Sequence, residues 1–353
     1  MSQKPRRQKL LPTINDVARR AGVSPMTVSR VINSEGNVRE TTLQRVKDAI
    51  AALNYVPNRA ARSLAGAANL RIGLLYSNPS AAYLSEFLLG SLDQSSRSDV
   101  QLVVEKCEIG DHEIQVANHL IDGGIDGIIL PPPLCDSAGI LAALEEAGTP
   151  TVVVATGRPP KTMLAVTIDD FAAAEAMTRH ILSLGHTRIG FIAGNPNQTA
   201  SARRLEGFRA ALRRANVAAD PALIADGLFT YRSGLDAAER LLDAGDPPTA
   251  IFAANDDMAA ATVAVAHRRG FDVPGDLTVC GFDDTTLATA IWPELTTIHQ
   301  PIADMSRKAV ELLVATIRQG RSGADADRQH VLDYTLIRRQ SDAAPKKRQR
   351  GNA

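Results

Sequence analysis

The chain of 353 residues lacks the features that several classes of protein require. Its three cysteines, Cys107, Cys135 and Cys280, are scattered, odd in number and without the spacing of a metal or redox motif. We interpret them as reduced packing residues of a cytosolic protein, and we expect neither a metal nor a cofactor. The first residues, MSQKPRRQKLLPT, have no apolar segment, so we expect no secretory signal here. No apolar run is long enough to span a membrane.

The motifs of common catalytic sites are missing too. There is no P-loop, no GxGxxG after a strand, no HExxH, no nucleophile elbow and no EF-hand loop. The sequence therefore predicts a protein that is not an enzyme.

The charge of the chain is balanced overall but distributed unevenly. Residues 1–70 carry 12 Lys or Arg and 4 Asp or Glu, whereas residues 71–337 carry 21 and 34, and residues 338–353 carry 6 and 1. A small basic head on an acidic body indicates a polyanionic partner for the head alone.

Three short helices are predicted within residues 13–54. Thr13 can cap the first helix, Gly22 ends it, and Ser24 followed by Pro25 is a good start for the second. The short glycine-containing turn between them is typical of a helix-turn-helix. The second helix has an apolar stripe on one side and a polar face on the other.

From residue 71 onward, β-branched apolar runs alternate with helical patterns. Nine such runs, spaced by helices, predict βαβ units and parallel sheets. Two doubly wound halves fit them better than one sheet. A helix from Met305 and a last strand, HVLDYTLI, follow them.

The segments TINDVARRAGVSPMTVSRVIN, YVPNRAARSLAG, LGHTRIGFIAG, SARRLEGF, NDDMA and VCGFDDT, followed by PELTTIHQP, have a recognisable order and spacing. With them, residues 13–340 closely resemble the LacI/GalR family of transcriptional repressors. That resemblance implies an all-α helix-turn-helix headpiece and an α/β core of two doubly wound subdomains, like a periplasmic sugar-binding protein. It also implies a homodimer on palindromic operator DNA and a small-molecule effector, with no membrane partner.

The domain bounds expected on this basis are as follows. A disordered basic arm covers residues 1–12, the headpiece 13–57, and a hinge helix with its linker 58–70. The first subdomain of the core takes residues 71–168 and 299–328, and the second takes 169–298 and 329–340. A disordered basic tail covers residues 341–353. Because the C-terminus has no leucine heptad, we expect a dimer rather than a tetramer.

The polar face of the second helix would then enter the major groove. Pro25 and Met26 match the positions at which the family varies its base contacts, and Arg30 matches a base-edge or phosphate contact. The remaining predicted DNA contacts in the headpiece suit phosphate anchoring and positioning: Thr13, Ser24, Thr27, Ser29 and Asn33. For Ser24 and Pro25 the alternative is that they only start the helix.

In the hinge, Asn58, Arg59, Arg62 and Leu64 match the family's pattern. The resemblance implies that paired hinge helices enter the minor groove, where each Leu64 wedges between bases. The alternative is that Leu64 packs on the core.

The resemblance also implies an effector site in the core. Arg204 matches the family's effector-binding arginine, and its spacing to Gly207 favours it over the neighbouring Arg203. Asn255 and Asp283 match the polar groups that fix adjacent hydroxyls of a sugar.

Four more residues complete the predicted effector site. Phe229 matches an aromatic platform, and Tyr83 lies in a loop that faces the cleft from the first half. Asp170 closes the first half, and Gln300 lies at the crossover between the halves.

Several of these residues have simpler interpretations. Asn255 and Asp283 can be helix N-caps, as can Asp170, and Phe229 can be a core residue. His186, in LGHTRIG, is interpreted as structural.

The function predicted from these features is a repressor of a carbohydrate-utilisation operon, released by a sugar or glycoside inducer. The alternative is the same architecture with a non-sugar effector or a corepressor mechanism. The basic headpiece and the absence of an export signal argue against a sugar-transport protein.

Overall fold

Residues 12–32, 39–53, 70–319 and 328–346 are described by the computed structural model. The chain divides into two units, Met1–Asn69 and Leu70–Ala353, which we call the headpiece and the core.

Three described helices form the headpiece: α1 Ile14–Ala21, α2 Pro25–Ile32 and α3 Glu40–Leu53. Gly22 ends α1 in the left-handed conformation, with φ 63°, which glycine adopts without strain. Val17, Val28 and Val46, one from each helix, are fully buried in a shared apolar cluster. The inward direction of Val28 fixes which face of α2 is left for solvent.

The first lobe of the core is built on a six-stranded parallel sheet. Its strands are β1 Leu70–Tyr76, β2 Val100–Lys106, β3 Gly127–Leu130, β4 Thr151–Val154, β5 Leu164–Ile168 and β11 Gln329–Leu332. They lie in the order β11-β5-β4-β3-β1-β2. Its helices are α4 Ala81–Arg97, α5 Asp111–Asp122, α6 Ala138–Glu146 and α12 Ile302–Gln319. A short 3-10 helix, Leu134–Asp136, follows β3. The central strands β3 and β4 are buried throughout, as expected of parallel strands covered on both faces.

The second lobe has a four-stranded parallel sheet. Its strands are β6 Ile189–Ala193, β7 Ile224–Asp226, β8 Ala250–Ala253 and β9 Thr278–Cys280. They lie in the order β7-β6-β8-β9. Its helices are α7 Asp170–Ser183, α8 Thr199–Arg214, α9 Tyr231–Leu242, α10 Asp256–Arg268 and the short α11 Leu287–Ala290, with a 3-10 helix at Pro221–Leu223. A separate antiparallel pair joins β10 Thr297–His299 to β12 Thr335–Ile337.

The segment predicted as one last strand forms two strands that belong to different sheets. β11 pairs in parallel with β5 of the first lobe, whereas β12 pairs with β10. The expectation that residues 329–340 belong wholly to the second half is therefore wrong for β11, because its ladder hydrogen bonds go to the first sheet.

The expectation that the chain is disordered from residue 341 is also corrected. Ser341 is fully buried, and its backbone carbonyl accepts from the N–H of Val279 at 2.9 Å. Asp342 accepts from Nε2 of His180 at 2.9 Å. Residues 341–346 therefore continue the structure of the second lobe, and residues 347–353 lie outside the described part of the chain.

The longest described helix, α12, has 18 residues and includes charged side chains such as Asp304 and Arg307. No helix in the described ranges is both long enough and apolar enough to cross a membrane.

Candidate DNA-binding face and effector cleft

One face of α2 presents mainly polar side chains to solvent. Ser24 caps the helix, because its hydroxyl accepts from the N–H of Thr27 at 3.2 Å. Pro25 and Arg30 are exposed, and Met26 is 66% exposed although it is apolar. The helix-starting role of Ser24 and Pro25 is thus observed, and it is compatible with DNA contacts, which stay predictions.

The other predicted DNA contacts are only partly described. Thr13 precedes α1, and its N–H and hydroxyl donate to the carboxylate of Asp16 at 2.9 and 2.7 Å. These hydrogen bonds lower the pKa of Asp16. Ser29 is half-buried in α2. The rest of the predicted set lies outside the described residues: Asn33, Asn58, Arg59, Arg62 and Leu64.

In the core, a pocket lies between the two lobes, where strands of both parallel sheets end. Open α/β sheets hold ligands at this edge, beyond the carboxyl ends of the strands. The empty space of this pocket is about 420 Å³ when its opening to solvent is counted. Six of the seven predicted effector residues line it: Tyr83, Arg204, Phe229, Asn255, Asp283 and Gln300.

Arg204, in the second turn of α8, organises the wall of this pocket. Its Nε donates to Oδ1 of Asp170 at 2.8 Å, and its Nη1 donates to the carbonyl of Ala254 at 2.6 Å. Its guanidinium carbon lies 3.6 Å from the centre of the Phe282 ring. The neighbouring Arg203 is partly exposed and pairs with Glu206, so burial favours Arg204 as the site residue.

Asp170 does not line the pocket but stands behind Arg204. Its Oδ1 is held by Arg204, and it is 3% exposed. The N-cap of α7 is the preceding residue, Asp169, whose side chain accepts from the N–H of Ala172 at 3.0 Å. The alternative of Asp170 as a helix cap is therefore wrong.

Four buried polar atoms around this pocket have no hydrogen-bond partner among the described residues. They are Oη of Tyr83, Oδ2 of Asp170, Oδ1 of Asp283 and Nε2 of Gln300. Leaving a buried polar group unpaired costs about 1–3 kcal/mol, so their concentration at one place needs an explanation. For the three atoms on pocket-lining residues, Tyr83, Asp283 and Gln300, a polar ligand that pairs with them provides one.

Asp283 occupies its position through an unusual backbone conformation. Its φ is 109°, in the region that non-glycine residues rarely adopt. Its N–H donates to the carbonyl of Ile298 at 2.9 Å, and its own carbonyl accepts from the N–H of Gln300 at 3.1 Å. These bonds hold it beside the crossover and not at the start of a helix, so the N-cap alternative is wrong. Burial raises the pKa of its carboxyl well above the ordinary value.

Asn255 is the N-cap of α10, as its simpler interpretation predicted. Its Oδ1 accepts from the N–H of Met258 at 3.0 Å, and its Nδ2 donates to the carbonyl of Phe229 at 3.1 Å. Phe229 has φ 60° and is 8% exposed, with its ring centre 5.8 Å from the Arg204 guanidinium. Asn255 therefore holds the backbone that presents this ring to the pocket.

Two polar contacts cross the cleft beside the pocket. The hydroxyl of Ser80, in the first lobe, donates to Oδ2 of Asp257 at 2.6 Å. On the other side, Asp136 accepts from the N–H and the hydroxyl of Thr199, the first residue of α8, at 2.8 Å each. Gly157 allows this approach, because a Cβ there would lie 2.7 Å from the Thr199 backbone.

These contacts and part of the pocket lining were not predicted from the sequence. The missed lining residues are Asn78, Pro79, Ser80, Pro132, Ala155, Gln198 and Ala200. Most of them directly follow strands β1, β3, β4 and β6 of the two parallel sheets, which is the signal that identifies them.

His186 has the structural role that the sequence indicated. Its Nδ1 lies 2.9 Å from Oγ1 of Thr249, and its Nε2 lies 2.8 Å from the carbonyl of Ala343. It therefore fastens the C-terminal segment to the second lobe, away from the pocket.

Both the headpiece and the core match known protein families. Residues 13–58 match the family described as bacterial regulatory proteins, lacI family, and residues 178–341 match the periplasmic binding protein-like domain. The transcriptional regulator CelR of Thermobifida fusca is 36% identical over 313 residues, which are 87% of this chain and 92% of that protein.

Solved structures show the same architecture. A CelR–cellobiose complex aligns over 94% of this chain and 99% of its own, with a TM-score of 0.72 and 33% identity. The Lac repressor dimer bound to operator and an anti-inducer aligns over the same fractions, with a TM-score of 0.69 and 28% identity.

A helix-turn-helix headpiece and a two-lobed binding-protein-like core together define a DNA-binding transcriptional regulator. The chain belongs to the lacI family of bacterial regulatory proteins.

Proposed function

We propose that this regulator represses carbohydrate-utilisation genes and that a sugar or glycoside in the core cleft releases it from a palindromic operator. The observation that carries the proposal is the set of three unpaired polar atoms on residues that line one pocket, Tyr83, Asp283 and Gln300. The cellobiose bound by the similar CelR agrees with this assignment.

The chemistry of the pocket suits a sugar. Carboxylate oxygens accept hydrogen bonds from hydroxyls, and an amide N–H₂ donates to them. The ring of Phe229 supplies a flat apolar surface for the C–H face of a pyranose. One bound sugar can therefore pair with the unpaired atoms of Tyr83, Asp283 and Gln300 and cover the ring at the same time.

Effector action follows from the location of the pocket between the lobes. Tyr83 belongs to the first lobe and Arg204 to the second, so a ligand that contacts both favours one relative orientation of the lobes. In the proposed dimer, that orientation separates the hinges and weakens specific DNA binding. The typical coupling between two such sites is about 1–3 kcal/mol.

At the operator, the exposed face of α2 enters the major groove of each half-site. Pro25 and Met26 contact base edges, and Arg30 contacts a base edge or a phosphate. Ser24, Thr27 and Ser29 anchor the phosphates together with Thr13. Asn33 and the hinge residues Asn58, Arg59, Arg62 and Leu64 complete the contact. The protein then acts in the cytoplasm, where its DNA target is.

The test is fluorescence anisotropy with labelled DNA from upstream of its own gene cluster, at one fixed salt concentration, with a panel of sugars and glycosides. Salt must be fixed because phosphate contacts make the affinity strongly salt-dependent. We expect specific binding that one sugar reverses. Tighter binding with a sugar would show corepression, and absence of specific binding would contradict the role given to the headpiece.

A further inference from the structure

Helix α4 of the first lobe is attached to the second lobe at two points. The hydroxyl of Ser80, the N-cap of α4, donates to Oδ2 of Asp257 at 2.6 Å. Six residues further along, Oε1 of Glu86 accepts from the N–H of Thr286 at 3.2 Å. Asp257 lies in the first turn of α10, and Thr286 directly precedes α11, so both partners belong to the second lobe. A change in the relative orientation of the lobes must therefore strain or break these hydrogen bonds.

The hydroxyl of Ser80 makes two hydrogen bonds at once. It accepts from the N–H of Tyr83 at 3.3 Å, which caps α4, while it donates to Asp257. The N–H of Ser80 donates to Oδ1 of Asn78 at 2.8 Å, and Ser80 is 3% exposed. Leaving a buried hydroxyl without its acceptor is unfavourable. The start of α4 is therefore directed toward Asp257 for as long as that acceptor is present.

On the second lobe, these partners adjoin the pocket without lining it. Oδ2 of Asp257 also lies 3.4 Å from Nδ2 of Asn255, which donates to the carbonyl of Phe229 at 3.1 Å. Thr286 comes three residues after Asp283. Asn255, Phe229 and Asp283 line the pocket, whereas Asp257 and Thr286 do not. A displacement of the pocket wall can therefore reach α4 through groups that are not themselves ligand contacts.

On the first lobe, the path leads to the junction with the headpiece. Strand β1 begins at Leu70, the first residue of the core, and leads through residues 77–79 to Ser80. It pairs with both β2 and β3, so it moves with the first sheet as one body. The two hydrogen bonds of α4 thus fix the second lobe relative to the strand that continues from the headpiece.

We propose that Asp257 and Glu86 are positioning residues that hold the lobes in the orientation that favours operator binding, without touching the effector. The inference rests on the proposed function only in taking lobe orientation as the variable that controls DNA binding. Both hydrogen bonds join protein atoms alone, so they stabilise this orientation with or without an effector. An effector that favours another orientation must break them.

The hydrogen bonds do not depend on the charge of either side chain. Burial raises the pKa of both Asp257 and Glu86. A carboxyl oxygen accepts from a donor whether the group is ionised or protonated, and the amide oxygen of Asn or Gln does the same. Conservative amide variants therefore keep the acceptor, and alanine variants remove it.

The experiment removes and restores each acceptor in the full-length protein. Asp257→Ala is compared with Asp257→Asn, and Glu86→Ala with Glu86→Gln. Spin labels on exposed Glu105 and Arg213, one in each lobe, report the distance between the lobes in the absence of any sugar. Fluorescence anisotropy with labelled DNA from upstream of its own gene cluster, at fixed salt, reports operator affinity.

We expect Asp257→Ala to shift the distance distribution and to weaken operator binding at least tenfold. Asp257→Asn should stay within threefold of wild type, because its oxygen still accepts from Ser80. Glu86→Ala should weaken binding about threefold to fivefold, and Glu86→Gln should stay within twofold. Ser80→Gly breaks the first bond from the other lobe but still suits an N-cap. Combined with Asp257→Ala it should add little, since both changes remove the same bond.

Glu113→Ala is the matched control. Glu113 in α5 is 2% exposed and accepts from the hydroxyl of Ser137, the residue before α6. This is again a serine ahead of a helix paired with a carboxyl group, but both partners belong to the first lobe. The variant should lose stability while its distance distribution and its operator affinity, within threefold, remain those of wild type.

Several results would overturn the inference. One is an unchanged distance distribution in Asp257→Ala with operator affinity within threefold of wild type. Equal impairment in Asp257→Ala and Asp257→Asn would show that the hydrogen bond is not what matters. Tighter operator binding would assign the bonds to the released orientation instead. If Asp257→Ala does not fold, Ser80→Gly is judged by the same criteria.

These outcomes are distinct from failure of the proposed function. If no sugar releases the wild-type protein from DNA, the inducer assignment fails, but the measurements here contain no sugar and still decide the inference. If the wild type binds no specific DNA, the assignment of these bonds to the operator-binding orientation is overturned as well. The distance distributions then show only whether Asp257 and Glu86 hold the lobes together.

Discussion

The headpiece presents the polar side chains of its candidate DNA-binding face to solvent, whereas the core buries those of its candidate effector site in a cleft. Arg30 and Ser24 on α2 are exposed, but Arg204 and Asp283 are 4% and 5% exposed. A DNA groove is a large surface that binds from outside the protein, so the side chains that contact it can remain solvated until the DNA binds. A small effector must be enclosed, so the side chains that contact it are already shielded from water before it binds.

This difference predicts how the two regions respond to substitution. Exposed contacts on α2 should affect DNA binding with little effect on folding. The buried groups of the cleft serve both binding and stability, so changes there should affect both. The predictions below test this separation, from the largest expected effect to the smallest.

Arg204→Ala should give the largest loss of stability. It leaves the buried carboxyls of Asp170 and Asp283 without their cation, and breaking a buried ion pair costs about 3–5 kcal/mol. Arg203→Ala is the matched control, because its partly exposed pair with Glu206 contributes about 0–1 kcal/mol. Urea denaturation of both variants measures the contrast, and equal losses would contradict the role given to Arg204.

The two regions should also respond oppositely to pH. Burial raises the pKa of the Asp256 carboxyl, at the start of α10, to about 7, whereas hydrogen bonds from Thr13 lower the pKa of exposed Asp16. Between the ordinary aspartate value and pH 7, folded Asp256 holds a proton that the unfolded chain releases. The contribution of Asp256 to the free energy of unfolding therefore falls as pH rises through this window. The contribution of Asp16 is lost only as pH falls below the ordinary aspartate value.

Urea denaturation at pH 5 and pH 8 measures this difference. Wild type should lose more stability between these pH values than Asp256→Asn does. Asp16→Asn should behave like wild type, because Asp16 titrates below pH 5. An identical pH dependence of stability in wild type and Asp256→Asn would show that burial does not raise the pKa of Asp256 in this way.

Asp136→Ala should cause an intermediate loss of stability, and its structural effect should be confined to the contact between the lobes. It removes the acceptor for the first N–H of α8, and the loss of such a cap costs about 1–2 kcal/mol. Spin labels on exposed Glu105 and Arg213, one in each lobe, should report a longer or broader distance distribution.

Asp220→Ala is the control for this change. Asp220 caps the 3-10 helix Pro221–Leu223 within the second lobe, so its loss should leave the distribution between the lobes unchanged. A similar change in both variants would mean that Asp136 does not hold the lobes together.

Met26→Ala should have the smallest effect on folding. Its side chain is 66% exposed, so stability should change by less than about 0.5 kcal/mol, while the preference among operator variants changes. Val28→Ala, two residues away and fully buried, should cost about 2 kcal/mol instead. Thermal denaturation and anisotropy with operator variants test both, and unchanged operator preference in Met26→Ala would remove it from the DNA contacts.

Local patterns predicted much of this structure. The nine strands from β1 to β9 follow from apolar runs between turns, and the start of α2 follows from Ser24 and Pro25. The family's motifs led to Arg204 and Asp283, which the structure brings to one pocket. These features depend on residues that are neighbours in sequence or carry a motif.

Contacts between distant residues were not predictable in this way. Asp136 and Thr199 are 63 residues apart, and no local pattern indicates that they meet. The period of HVLDYTLI is compatible with a strand but does not say which sheet it joins, so its division between two sheets was missed. Likewise, only the fold shows that Asn255 caps α10 with its Oδ1 while its Nδ2 donates to the carbonyl of Phe229.

The central claim is that the exposed contacts of the headpiece and the buried contacts of the cleft are thermodynamically coupled. The most direct test measures the affinity for the sugar that releases the protein, once on the free regulator and once on the regulator saturated with operator DNA. Coupling is reciprocal, so the operator must weaken sugar binding by the same factor by which the sugar weakens operator binding, about 5–150-fold. Equal sugar affinities in the two states would contradict the account.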